Sequence, residues 1–424
     1  MTAGRLPTGN VAARWGLVDQ ALFASSNFLL GITVAHTSKP NEFGAFSLVY
    51  VIFMFVSGVA RSVSYEPLTV RFGAAMRDDL EDASDRALVA TVSLSVILGA
   101  LLIGCSIVCG PVFRPFLLVL GVSILPLLLE DSFRGVCFAA NRPAVASACD
   151  GAWLVLQAIG FAVLFATREH VAPWALFAVW TGSCFIALVG TLIWAQIWPL
   201  SLRTTWFGEH RRLIMAAFSN YALTSVPPYL VYAVLPAVAS LGALGQLRAV
   251  YLLFGPLGVL NEGLVLGTLP VAVRRGPGSA MRRLGMALSA GSVLVAIAWS
   301  SAVLFLPDAI GRRALGANWS DTTSVRIALG VSIAAEACMV GAALILRAHG
   351  AQRQLASCRL LAAPVTVGLS LVFGHVWGAA GAATGFAVGY WTAAAAGWIA
   401  ASRMRPAPVR ATTAAPALGV RYVD

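Results

Sequence analysis

Long apolar runs, each closed by a short polar or basic stretch, recur along the whole chain. They predict twelve helical spans, at roughly 15–35, 43–64, 87–109, 115–139, 144–166, 173–198, 213–236, 243–269, 286–306, 324–347, 355–374 and 378–401. About 20 apolar residues in a helix cross a hydrocarbon core of roughly 30 Å. The runs are too long for barrel strands and lack the two-residue alternation of polarity that barrels need. The fold class expected is therefore all-α and polytopic. The longest connection, RFGAAMRDDLEDASDR at 71–86, predicts an interfacial helix leading into the third span. The seventh span contains Pro227, Pro228 and Pro236. Proline removes a backbone donor and clashes with the preceding turn, so this span should bend or break. The first run is long and carries Asp19, Gln20 and Asn27, so it reads as a retained helix and not a cleaved signal.

The spans echo one another. GAFSLVYVIF at 44–53 returns as GQLRAVYLLF at 245–254, with Gly44, Val49, Tyr50 and Phe53 matched by Gly245, Val250, Tyr251 and Phe254. PLTVR at 67–71 returns as PVAVR at 270–274. Two collinear echoes at nearly one offset predict a duplication in which six spans are followed by six in the same orientation. Such parallel repeats pack as two lobes about an axis along the membrane normal, with a site between them. The expected lobes are 1–205 and 206–405, with 406–424, rich in Ala, Pro and Thr, as a disordered cytoplasmic tail.

Composition narrows the function. The 424 residues are 59% hydrophobic and 11% charged, with a mean hydropathy of +0.82, whereas a soluble domain carries about 25% charged residues. The net charge of +11 comes from 29 basic against 18 acidic residues, and its distribution points to topology, not to nucleic acid. The tails and the loops on their side hold 22 of the basic residues, against six on the other side, with Arg248 inside a span. Positive-inside places both termini in the cytoplasm of a multi-pass cell-membrane protein, beside anionic lipid headgroups. The seven cysteines lie in or beside apolar runs without a CxxC, and read as small core residues. Five scattered histidines offer no metal-ligand spacing. The single lysine, Lys39, sits in SKPN, so no phosphate-binding loop of the Gly-Lys-Ser/Thr kind is present. No cofactor, metal or catalytic residue is expected.

Charge at membrane depth costs about 2.5–3.5 kcal/mol per residue on the insertion scale and usually faces a cavity or the bundle interior. The candidates are Asp19, Arg61, Glu66, Glu130, Asp131, Arg134, Asp150, Arg248, Glu262 and Glu336. Arg61 and Arg134 lie near the cytoplasmic face, where they can snorkel. Glu130 and Arg134 stand four apart and can pair. Arg248 has no acidic residue three or four positions away, and its counterpart in the first repeat is Ser47. An arginine in a central cavity suits an anionic group, phosphate above all, because its planar fork bonds two oxygens at once. Arg248, Arg61 and Arg134 are therefore the expected substrate-binding residues, with Glu336 or Asp19 as the alternative, structural partner of Arg248. Asp19, Asp150, Glu262 and Glu336 are the candidates for coupling to an ion gradient.

The polar first span DQALFASSNFLLGITVAH, the opening EFGAFSLVYVIF of the second, and FRGVCFAANRPAVASACD between the fourth and fifth resemble a known family. It is the O-antigen type of polysaccharide flippase, in the multidrug/oligosaccharidyl-lipid/polysaccharide exporter superfamily. The likeness covers nearly the whole chain through loose motifs. It implies translocation of an undecaprenyl-pyrophosphate-linked oligosaccharide to the outer leaflet by alternating access, for cell-surface polysaccharide. It also implies a polysaccharide polymerase and glycosyltransferases as partners. The main alternative is an ion-coupled multidrug or small-molecule antiporter of the same superfamily, whose cavity would favour excess carboxylate. A membrane glycosyltransferase would need sizeable outer loops, and the longest here is 307–323.

Overall fold

Each predicted span forms a helix in the computed structural model, which describes residues 9–72, 77–196, 205–275 and 278–404. In order these are α1 (Gly9–Thr37), α2 (Pro40–Val63), α3 (Tyr65–Phe72), α4 (Arg77–Val108), α5 (Arg114–Ala139), α6 (Pro143–Thr167) and α7 (Pro173–Ala195). There follow α8 (Trp206–Val238), α9 (Leu241–Arg275), α10 (Ser279–Leu304), α11 (Asp308–Leu315), a 3₁₀ turn (Gly316–Trp319), α12 (Thr323–Ala348) and α13 (Gln352–Arg403). Ten of the described helices are long and apolar enough to cross a membrane, and α8, bent by 56°, makes an eleventh. α13 is 52 residues long and folds back at Gly378, whose φ of 60° is left-handed, so it supplies two crossings. Its arms close on each other because Gly381, Gly385 and Gly389 let the backbone and side chains around Phe373, Ser370 and Thr366 approach, the small-residue spacing that brings membrane helices together. The described residues thus hold twelve crossings. Of the interfacial helix expected over 71–86, the part from Arg77 is helical and runs without a break into the third span, as one 32-residue α4, while 73–76 lie outside the described residues. The tail 406–424 lies outside the described residues.

The buried apolar side chains gather in two main clusters. One draws on α1, α2, α4, α5, α6 and α7, with Trp153, Trp180, Phe133 and Phe177 at its centre. The other draws on α9, α10, α12 and α13. α8 belongs to both: Trp206 and Ile214 sit in the first cluster, Val231, Tyr232 and Leu235 in the second. Its bend lies between Leu223 and Ser225, where Pro227 and Pro228 withhold the N–H groups that the carbonyls of Leu223 and Thr224 would otherwise accept. By packing, α8 therefore bridges the two clusters across its bend.

The lobes meet along α2 and α9. A Cβ on Gly44 would lie 2.0 Å from the Leu241 carbonyl oxygen, and one on Gly245 would lie 2.3 Å from that of Pro40. Pro40 and Gly44 open α2 as Leu241 and Gly245 open α9, so the contact is reciprocal, as a two-fold axis between equivalent helices requires. The exchange continues inward: Val51 is buried in the second cluster and Ala249 in the first. On the same face, opposite the termini, a second contact closes the seam. Asn318 is fully buried and donates from Nδ2 to the carbonyls of Ala35 (2.8 Å) and Ser38 (3.0 Å) at the end of α1. Gly316, at φ 57°, sits directly on the His36 carbonyl.

Candidate substrate cavity and ion-pair cluster

Between the lobes, α1, α2 and α9 enclose a cavity of about 610 Å³. Ser47 and Arg248 both line it, each seven residues into its helix, so the repeat places them at equivalent depth, about 10 Å from the helix start at 1.5 Å per residue. The surroundings of Arg248 are aromatic. Its guanidinium carbon stands 5.1 Å from the ring centre of Tyr232, 5.7 Å from that of Tyr251 and 6.0 Å from that of Tyr50. Ring faces attract a cation without neutralising it. Tyr50 is itself held, donating its hydroxyl to Asn27 Oδ1 at 2.9 Å. Arg248 Nε is buried with no hydrogen-bond partner, as is the Ser47 hydroxyl. Of the two structural partners expected for Arg248, Asp19 adjoins Arg134, and Glu336 lines a second cavity.

Arg61 and Arg134 do not line the central cavity. They are bound inside the first lobe by Asp131, on the same helix as Arg134. Arg61 grips Asp131 with both ends of its fork, Nε at 2.7 Å and Nη2 at 2.8 Å. Arg134 Nη2 donates to the same carboxylate at 2.9 Å, so its helical pairing is with Asp131 and not with Glu130. The Arg134 guanidinium also faces Asp150 (3.5 Å), Asp19 (3.9 Å) and the ring of Phe23, 4.3 Å from its centre. Asp19, Glu130, Asp131 and Asp150 are all buried, so four carboxyl groups share two guanidinium groups. Both oxygens of Asp19, both of Asp150 and one of Glu130 accept no hydrogen bond from the described residues. Arg61 and Arg134 thus neutralise carboxylates, and the coupling candidates Asp19 and Asp150 lie together.

Glu336, one of the two coupling candidates of the second lobe, lies apart from that cluster. It lines a cavity of about 320 Å³ inside the second lobe with Asn261, Tyr390, Arg347, Arg359 and the Pro227–Pro228 break. The Glu262 side chain lies outside the described residues. Among the described residues no group of three or more His, Cys, Asp and Glu side chains is placed to hold a metal ion.

The sequence pointed to Arg248 but not to its setting. Tyr50 and Tyr251 stood in the repeated phrase and could have been read as paired cavity residues. Tyr232 carried no such signal, because its approach to Arg248 depends on the bend of α8. Asn318 carried none either, since its partners are backbone carbonyls some 280 residues away.

No protein-family model matches the chain, and no curated protein matches it in sequence. Solved structures do match in shape. An inward-facing multidrug resistance MATE family transporter of the MOP superfamily superposes with a TM-score of 0.71 at 13% identity, over 91% of this chain and 97% of that one. The lipid II flippase MurJ, in an inward closed conformation, gives 0.70 at 12% identity, over 90% and 87%. The chain has the fold of these transporters. An outward-facing MATE family structure, at 13% identity over 92% and 93%, fits less closely, with a TM-score of 0.63. Within this MATE and MurJ fold, the Arg248 cavity lies between the two lobes and the Asp131 cluster lies within one of them.

Proposed function

We propose that the protein is a flippase that carries a lipid-linked glycan from the cytoplasmic to the outer leaflet by alternating access, for cell-surface polysaccharide. The observation that carries this reading is Arg248: a cation at membrane depth, lining an interlobe cavity, flanked by tyrosine rings, with its buried Nε lacking a hydrogen-bond partner. A half-buried charge at membrane depth is costly and seeks an opposite charge, so the phosphate that joins lipid to sugar would be its natural partner. The sugar would occupy the polar part of the cavity beside Asn27 and Gln20, while the lipid tail stays in the bilayer. The Asp19–Asp150 pair would bind the coupling cation, since the first-lobe cluster has more carboxyl groups than arginines to hold them. The termini lie in the cytoplasm on this reading, beside the enzymes that build the glycan.

A second reading, an ion-coupled multidrug antiporter, is favoured by that same excess of carboxylate and by the MATE likeness. The two differ in what accumulates when the protein is missing. A deletion strain should retain lipid-linked glycan in the cytoplasmic leaflet, measured by its resistance to an external glycosidase. Normal glycan export together with new sensitivity to cationic drugs would establish the antiporter and sink the flippase.

A further inference from the structure

The charge carried by the cavity bears on which phosphate linkage it can hold. Arg248 is the one charged side chain among the described residues that line it; the polar remainder, including Asn27, Ser47 and Tyr50, is neutral. The two arginines that the sequence suggested as companions are committed to Asp131 inside the first lobe. The place where the repeat would have put a second cation is held by Ser47, which is uncharged and whose hydroxyl is unpartnered.

These observations set a charge limit. A diphosphate joining lipid and sugar carries two negative charges, and a single phosphodiester carries one. An uncompensated ion away from water costs several kcal/mol, so one guanidinium balances the second and leaves the first with an excess. The fork of an arginine also matches the two non-bridging oxygens of one phosphate. We infer that the cavity takes a monoanionic phosphodiester headgroup, a lipid joined to its polar group through one phosphate. This departs from the diphosphate that the family resemblance implied, and it rests on the reading that the protein moves an anionic lipid.

The test is a fluorescence-anisotropy titration of the purified full chain with three labelled lipids: polyprenyl phosphoglucose, polyprenyl diphosphoglucose of the same chain length, and phosphatidylglycerol. The single-phosphate glycolipid should bind at least about tenfold more tightly than the diphosphate, a difference of about 1.4 kcal/mol. Ser47→Arg, which adds a second cation across the cavity, should erase or invert that preference. If that variant does not fold, the comparison in the wild-type protein decides alone. Phosphatidylglycerol binding as well as the glycolipid would support the single-phosphate headgroup and identify an ordinary phospholipid as its source. Diphosphate binding equal to or tighter than phosphodiester would overturn the inference and leave the flippase reading standing. Failure of all three lipids to bind would overturn both.

Discussion

Replacing Arg248 with alanine removes the only described charge in the central cavity and leaves the Asp131 ion pairs in place, so the protein should insert and fold normally. A hydrogen bond to a charged group contributes about 1.5–3 kcal/mol, so lipid binding should weaken about 10- to 150-fold. Arg248→Lys should recover part of that affinity, because a point charge replaces a planar fork. Lipid titration against a melting curve separates the two effects, and an Arg248→Ala protein that binds as well as wild type makes the arginine a structural residue. Asp150 makes the complementary case. Its oxygens accept no hydrogen bond from the described residues, yet it is buried 3.5 Å from Arg134. Asp150→Asn should leave lipid binding intact and abolish the response of transport to an imposed proton or sodium gradient. Gradient-driven flipping in vesicles that is unchanged in this variant would remove the first-lobe cluster from the coupling mechanism. Sequence alone singled out these charged positions because charge inside an apolar run is conspicuous. It could not distinguish Arg248, which faces a cavity, from Arg61 and Arg134, which face a carboxylate, since that depends on where α5 turns Asp131.

Among the elements, α2 and α9 carry the seam, and their glycines permit it. Gly44→Val should force the Leu241 backbone away from α2, at a cost of about 1–3 kcal/mol, read as a lower melting temperature in detergent. Gly104→Ala is the control, because a Cβ there meets nothing within 4 Å. Equal stability of the two variants would show that the crossing is looser than its geometry implies. The helices themselves were legible because apolar run length decides a span almost unaided. The reversal of α13 was legible as two separate runs, and the bend of α8 as a pair of prolines. What the pattern missed was allegiance. α8 reads as the first helix of the second repeat, yet its first half packs with the first lobe, because Trp206 finds a hydrogen-bond acceptor in the Val63 carbonyl at 2.7 Å. The acidic-basic segment before the third span looked interfacial, and from Arg77 it simply continues the helix.

Across the whole molecule, the proposed alternating access would require the seam opposite the termini to part. Asn318→Ala would remove two hydrogen bonds to buried carbonyls, each unpaired group costing about 1–3 kcal/mol. The population of outward-open molecules should therefore rise, measured as the distance between spin labels on the outer ends of α1 and α12. No change in that distance would make the contact incidental to gating. A tag after Arg405 should be accessible only from the cytoplasm, and labelling from outside would reverse the orientation drawn from the basic loops. The same asparagine has a consequence for how the chain is made. Its bonds to α1 join residues 283 and 280 positions apart, so the first lobe leaves the ribosome long before its rim opposite the termini, the outer rim on the proposed orientation, can be covered. Until α11 and the 3₁₀ turn have crossed, the carbonyls at the end of α1 have only water or a chaperone to satisfy them. A chain that stalls before Asn318 should thus be an unfinished vessel with an open rim, and one that the cell's quality-control proteases can tell from the completed protein.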